Sequence, residues 1–360
     1  MKDSEIANLR LINQQIAASR FKTPKEIVSW MGAMQAQDYT MAKWAIGSRL
    51  KNVTEKQIED AFNKGEILRT HVMRPTWHFV TAEDIYWMLE LTAPRILSSL
   101  KHRQNHLELT PDILSKSNKL LEKLLSSGKH LAREEIRPEY AKAKIALDNN
   151  RMSHLMLWAE LNGIVCSGAM KNNKQTYALL SKRVPEKNIP TKEESLAKLA
   201  ERFFLSHGPA TITDFLWWSG LSAKDARDGL EMIKSKLVSE KLDTKTYWFS
   251  NALKISKNKS SAYLLPAFDE YVISYKDRTA MIELQHHKKA ISDNGIFRPI
   301  IVINGQVSGL WTRTLKKDHV VLETQFFRKH GKAEIELLRN ASKKYSSFLK
   351  MDLKFKNLNF

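Results

Sequence analysis

Apolar residues at Ile6, Leu9, Ile12 and Ile16 recur at helical spacing and predict a first helix. A second helix is announced by its own punctuation. Thr23-Pro24-Lys25-Glu26 places a capping Thr, a Pro at the first helical position and a Glu at the third, ahead of Ile27, Val28 and Met31. Thr54-Glu55-Lys56-Gln57 repeats the capping box, and Gly65 suits the end of the helix it opens. Residues 68–80 are rich in strand formers and broken at Pro75, so two short strands are expected there. Helices followed by a β-ribbon have the outline of a winged helix.

The outline recurs. Thr110-Pro111-Asp112 opens a helix carrying Leu114, Leu121 and Leu125, helices are predicted at 133–144 and 151–162, and two strand-like runs flank the polar tip Lys171-Asn172-Asn173-Lys174. After a linker at 185–190 comes a helix at 195–206. Thr211 to Trp218 then lead through Gly220 to a capping Ser222, the order of a helix-turn-helix, with Tyr247-Trp248-Phe249 as the end of its wing. The remainder changes character. Strands are predicted at 262–265, 271–275, 311–314 and 320–324, with an Asn304-Gly305 hairpin turn after the β-branched run at 300–303 and a closing helix at 332–350. The expected class is mainly α with β (α+β): winged helices at 1–106, 107–189 and 190–256, then a C-terminal β-rich unit at 257–360.

Composition supports a folded chain with basic surfaces. Of 360 residues, 27% are charged and 42% hydrophobic, near the globular averages, which argues against disorder. Lys plus Arg number 58 against 39 Asp plus Glu, a net charge of +19. Cys166 stands alone, so an intramolecular disulfide and a Cys-based zinc cluster are excluded, as expected of a reducing compartment. The N-terminus is charged and no apolar run reaches the 18 or so residues of a membrane span, so a soluble, cytoplasmic protein without a membrane partner is expected. Such a charge suits a polyanionic partner, nucleic acid first, although an anionic membrane or plain solubility also accounts for it.

Several chemistries lack their residues. There is no phosphate-cradling Gly-rich loop, no Gly-x-Ser-x-Gly elbow and no His-Glu-x-x-His. His102 with His106 and the adjacent His286-His287 lack a carboxylate set at ligand spacing, so no metal or cofactor is expected. Gln35 and Gln37 draw attention, because they lie where an amphipathic helix ends and the chain must turn. Two positions apart, their side chains face the same way only if the backbone there is extended. They could equally satisfy orphan carbonyls at the helix terminus.

Several blocks follow one another along the chain: Gln35-Ala36-Gln37-Asp38-Tyr39, the run from Ile67 to Phe79, Gly208-Pro209-Ala210-Thr211, Asp214 to Leu221, Leu264-Leu265-Pro266-Ala267-Phe268-Asp269-Glu270-Tyr271 and Tyr275-Lys276-Asp277-Arg278. In that order they make the chain similar to the AlkZ-type winged-helix DNA glycosylases. The resemblance implies three tandem winged helices in a C-shaped body, a C-terminal β unit, and hydrolytic removal of alkylated bases from double-stranded DNA, with some members unhooking interstrand crosslinks. It also implies that Gln35 and Gln37 are the catalytic pair of the Gln-x-Gln branch; a sister branch has Asp at the second position.

The residue types fit that chemistry. A purine alkylated at N7 or N3 is cationic and departs without being protonated, so what remains is to stabilise an oxocarbenium-like sugar and aim a water. A Gln carbonyl can do both. Asp38 is expected to cap or to pair rather than to react. For DNA contacts, Arg69, His71, Arg74, Trp77 and His78 mix cations with rings on the predicted wing, and Arg278 and Arg313 stand beside aromatic residues. Trp217-Trp218 are expected in the core. Three units in tandem suggest a monomer that wraps DNA, associated with the nucleoid. The rival class is a non-catalytic winged-helix DNA-binding protein such as a transcription regulator.

Overall fold

The computed structural model describes residues 1–185, 188–251, 260–329 and 331–356. The class is α+β. The chain divides into two compact units, one formed by 1–59, 197–218 and 222–360, the other by 60–196 with 219–221. Part of the predicted 185–190 linker, and the predicted 256/257 boundary, lie outside the described residues.

In the first unit, Asp3–Asn13 and Pro24–Met31 are helices, and the capping box at Thr23 is formed: Glu26 N–H donates to Thr23 Oγ1 at 3.2 Å and Thr23 N–H to Glu26 Oε2 at 2.8 Å. Helix Tyr39–Ser48, not foreseen, starts at Asp38, whose Oδ1 accepts from Met41 N–H at 3.0 Å. Helices Lys192–His207 and Ile212–Ser219 lead to Ala223–Ile233, capped by Ser222 as predicted. Strands Leu237–Leu242 and Lys245–Ser250 then pair antiparallel, and Ala210 bridges Trp248.

The C-terminal part is a five-stranded sheet in the order Asp352–Lys356, His319–Phe326, Gln306–Leu315, Ile300–Ile303, Ala262–Leu265. Pairs are antiparallel except that Asp352–Lys356, a strand not foreseen, runs parallel to His319–Phe326. Asn304 (φ 50°) and Gly305 (φ 82°) make the predicted tight turn. Helix Lys332–Leu349 buries Leu338, Tyr345 and Phe348; Tyr345 meets Trp311 and Trp44 with ring centroids 5.1 and 4.9 Å apart. One predicted strand is wrong: within 271–275 the chain forms the short helix Glu270–Ile273. Tyr271, Val272 and Ile273 are buried on all sides, so their β-branched, apolar character carries no period, and the Asp269 side chain caps the turn by accepting from Tyr271 N–H at 2.9 Å.

The second unit opens with the antiparallel hairpin Ile67–His71 and Trp77–Thr81, followed by helix Ile85–Ser99. Helices Pro111–Leu125, Arg133–Lys142 and Asn149–Leu161 enclose a core of Leu121, Leu125, Ile136, Tyr140, Leu155 and Met156. Strands Val165–Ser167 and Thr176–Leu179 form the predicted hairpin, with Asn172 and Asn173 at positive φ in its tip. Cys166 lies within it, and burial pushes its thiol up to about 12, which leaves it unreactive. Among the described residues no helix is long and apolar enough to cross a membrane, and no group of three His, Cys, Asp or Glu could hold a metal ion.

Candidate active site and nucleic-acid interface

The segment between helices Pro24–Met31 and Tyr39–Ser48 is non-helical throughout. Helix Pro24–Met31 stops at Gly32, whose φ of +79° suits glycine. Met34–Gln35 is a two-residue strand, and Asp38 then begins the next helix. The backbone is extended at Gln35, where the strand ends, and Gln37 follows in a bend before the next helix. Gln35 is 5% exposed and Gln37 is exposed. Asp38 has its carboxylate engaged as the helix cap.

Gln35 is held from behind by an acid. Its N–H donates to Glu270 Oε1 at 2.5 Å, and Glu270 is only 1% exposed. The other carboxylate oxygen accepts from Trp218 Nε1–H at 3.3 Å and from the Ser274 hydroxyl. His207 Nε2 stands 3.7 Å from the same oxygen. Ser206 Oγ donates to Arg202 O at 2.6 Å, so its contact with His207 Nδ1 at 2.7 Å places the ring proton on Nδ1. Burial works to raise the Glu270 carboxyl, but His207, Ser274 and the Gln35 N–H outweigh it and hold it at about 2. Burial also lowers His207 below its ordinary 6.5, against the pull of Glu270.

This acid belongs to a larger buried network in the same unit. Arg49 makes a two-point pair with Asp269, Nη1 to Oδ2 at 2.9 Å and Nη2 to Oδ1 at 2.8 Å. Arg49 also donates to Gln14 Oε1 at 2.8 Å, and Gln14 Nε2 donates to Tyr275 Oη at 3.0 Å and to Glu270 O at 3.2 Å. Tyr275 Oη in turn donates to His207 O at 2.7 Å, while the Arg10 guanidinium lies 3.6 Å from the Tyr275 ring centroid. None of Glu270, His207, Asp269, Arg49 or Gln14 was singled out from the sequence for a role. The available signal was Asp269-Glu270 itself, two adjacent acids in a run that is otherwise apolar.

Within the second unit, the hairpin brings three of the predicted contact residues together. Residues opposite each other across an antiparallel pair share a face, and the register is His71 with Trp77 and Arg69 with Phe79. Hence Arg69 lies 4.1 Å from the Trp77 ring centroid, and the His71 ring 4.6 Å. Arg69 and His71 are both buried; Arg69 donates to Gln175 and His71 Nδ1 meets Glu160. Trp77 is half-buried, and Phe79 is fully buried as core. Arg74 is half-buried at the tip. His78 faces the other way with no exposed surface, its Nδ1 2.9 Å from Thr76 O.

The two remaining cations lie apart in the first unit's sequence and contacts. Arg278 donates from Nε to Val272 O at 2.9 Å and lies 5.3 Å from the half-buried Trp217 ring, over which Lys276 also sits at 4.9 Å. Arg313 donates to the Tyr345 hydroxyl. Trp218 is fully buried, while Trp217 donates to Ile273 O at 2.8 Å.

Among solved structures, the Streptomyces sahachiroi DNA glycosylase AlkZ matches with a TM-score of 0.80 over 98% of each chain, at 17% identity, which places the two in one fold. No curated protein matches the chain in sequence. The model of the DNA glycosylase AlkZ-like family matches residues 28–348, a span holding Gln35, Gln37, the 67–81 hairpin and the acids at 269 and 270. The chain thus belongs to the AlkZ-like DNA glycosylase family.

Proposed function

We propose that this DNA glycosylase hydrolyses the N-glycosidic bond of purines made cationic by alkylation at N7 or N3, in double-stranded DNA. The C1′–N9 bond breaks first, and its electron pair leaves with the base and cancels the positive charge. No acid is required of the protein for that departure. The side-chain carbonyls of Gln35 and Gln37 face the developing sugar cation and accept hydrogen bonds from a water, which adds at C1′ and gives up its proton to solvent. Free base and an abasic site result. The gain is one of orientation and fixed dipoles rather than proton transfer. An interstrand crosslink joined through N7 presents the same cationic leaving group and is a substrate on the same terms.

One observation carries this proposal: the backbone at Gln35 is extended, in a chain of this family, with its amide tied to a buried carboxylate. The three successions of helices and a β hairpin are read as winged helices. On the first hairpin, Trp77 and Arg74 are the surface groups that meet DNA, while Arg69 and His71 grip the tryptophan ring from within. Arg278 and Lys276 around Trp217 are a second contact, and Arg313 a third through phosphate. The protein acts as a monomer, and its charge of +19 provides backbone affinity.

The test is base release under single-turnover conditions. Wild type should excise N7-methylguanine from a duplex and leave uracil, an uncharged leaving group, essentially untouched. Gln35→Ala and Gln37→Ala should each slow excision by about 100-fold, the cost of losing one fixed dipole at the reacting centre, with DNA affinity at matched salt unchanged. Comparable rates on both lesions, or wild-type rates from both variants, would refute the proposal.

A further inference from the structure

We infer that Glu270 is a positioning residue for base excision, setting the place of Gln35 through the hydrogen bond from the Gln35 N–H to Oε1. The inference rests on the catalytic role proposed for Gln35. The Gln35 amide hydrogen is committed to Glu270 Oε1, so the position of that oxygen bears directly on where the Gln35 side chain emerges. That acceptor is itself braced. Oε2 is held by Trp218 from helix Ile212–Ser219 and by Ser274, and the Glu270 carbonyl is held by Gln14 at 3.2 Å. The carboxylate is buried, so water cannot replace it as partner. A shift in Oε1 must pass to the Gln35 backbone, and from there to the amide that aims the water.

Two variants separate reach from charge. Glu270→Gln keeps an acceptor at the same distance from Gln35 and can turn its NH₂ toward the Ser274 oxygen, giving up the 3.3 Å bond from Trp218 Nε1–H, but it carries no charge. Glu270→Asp keeps the charge but draws the carboxylate back by about 1.5 Å, one carbon–carbon bond. Positioning by reach predicts that Glu270→Asp excises N7-methylguanine about 30-fold more slowly than wild type, since a 1 Å misplacement can cost ~10²-fold. Glu270→Gln should stay within about fivefold, and Ser274→Ala, which leaves the Gln35 bond in place, within about twofold. DNA affinity should be unchanged in all three.

The reverse order, with Glu270→Gln the slower enzyme, would assign the effect to charge and overturn the inference. So would an equal loss in Ser274→Ala, which would mark a general packing effect. A second readout needs no turnover: amide hydrogen exchange at Gln35 in the full chain should quicken by at least tenfold in Glu270→Asp, while amides of the Lys245–Ser250 strand keep their rates. Unchanged protection at Gln35 overturns the inference even if excision slows. A wild-type chain that releases no base, with Gln35 protection responding as expected, would instead overturn the proposed reaction and with it the catalytic role of the contact.

Discussion

Replacing Arg49 by Met removes a guanidinium that is wholly buried, with side-chain exposures of 0% for Arg49 and 1% for Asp269. Methionine fills similar length but leaves the Asp269 carboxylate with only the Tyr271 N–H of the donors described above. For an exposed ion pair the loss would be about 0–1 kcal/mol. For a buried one, stripping a single partner leaves an uncompensated charge and costs about 3–5 kcal/mol. That is a large share of the roughly 5–15 kcal/mol that holds a domain folded. The measurement is equilibrium urea unfolding followed by tryptophan fluorescence, to which the buried Trp44, Trp218 and Trp311 of this unit contribute, with Arg49→Met, Asp269→Asn and the double variant compared. Either single change strands a charge or its partner, whereas the double change leaves a neutral Asn that still accepts from Tyr271. The double variant should therefore be less destabilised than the sum of the two by at least ~2 kcal/mol. Additivity within about 0.5 kcal/mol would show that Arg49 and Asp269 are held independently, and the network described around Glu270 would lose its centre.

Stability should also decline toward acid with a definite shape. Glu270 sits at about 2 in the folded chain against an ordinary 4.5, so its contribution, on the order of 3 kcal/mol, is present above 4.5 and is lost as pH falls toward 2. His207, lowered by burial, adds to the same trend: the unfolded chain takes up a proton near 6.5 before the folded one does, so stability starts to fall below that pH. Unfolding midpoints at stepped pH should show the lower limb in wild type and lose it in Glu270→Gln; an unchanged limb in the variant would remove Glu270 as its source. On the hairpin, Arg74→Ala should weaken binding to any duplex alike and reduce the slope of log affinity against log salt by about 0.9, the effect of one phosphate contact. Fluorescence anisotropy at four salt concentrations measures it, and an unchanged slope would place Arg74 off the DNA.

Much of the fold was legible because it was punctuated. Thr23, Thr110 and Ser222 cap the helices they were expected to cap, and Asn304-Gly305 turns where its backbone freedom allows. The glycosylase resemblance was legible from the order of its motifs, and the family match bears it out. What stayed hidden shares a cause. The helix at 270–273 reads as a strand in the sequence because a segment buried on every side has no polar face to show its period. His78, expected beside DNA, is buried, because alternation says which residues share a face, not which face is wet. Asp352–Lys356 pairs in parallel with the preceding strand across helix Lys332–Leu349, and its alternation of polar and apolar residues spans only five positions, too few to stand out.

One of the hidden parts, the short helix Glu270–Ile273, carries the acid that holds Gln35. The uncharged amides proposed to act on the base offer only dipoles with which to hold themselves in place. Orientation must come from groups whose own positions are costly to change. Buried groups held by several hydrogen bonds meet that requirement: Arg49 with Asp269, and Glu270 with its three donors, cannot shift without leaving donors and acceptors unpaired where water does not reach. Their cost in stability is tolerable in a chain that buries so much around them, and in return the Gln35 amide has an acceptor that water cannot displace. A sequence shows such residues only as acids and bases among apolar neighbours, indistinguishable from surface charge until the fold closes over them. The visible excess of +19 and the concealed network thus have separate uses, one acting on phosphates by long-range attraction, the other on geometry by the penalty for breaking buried hydrogen bonds.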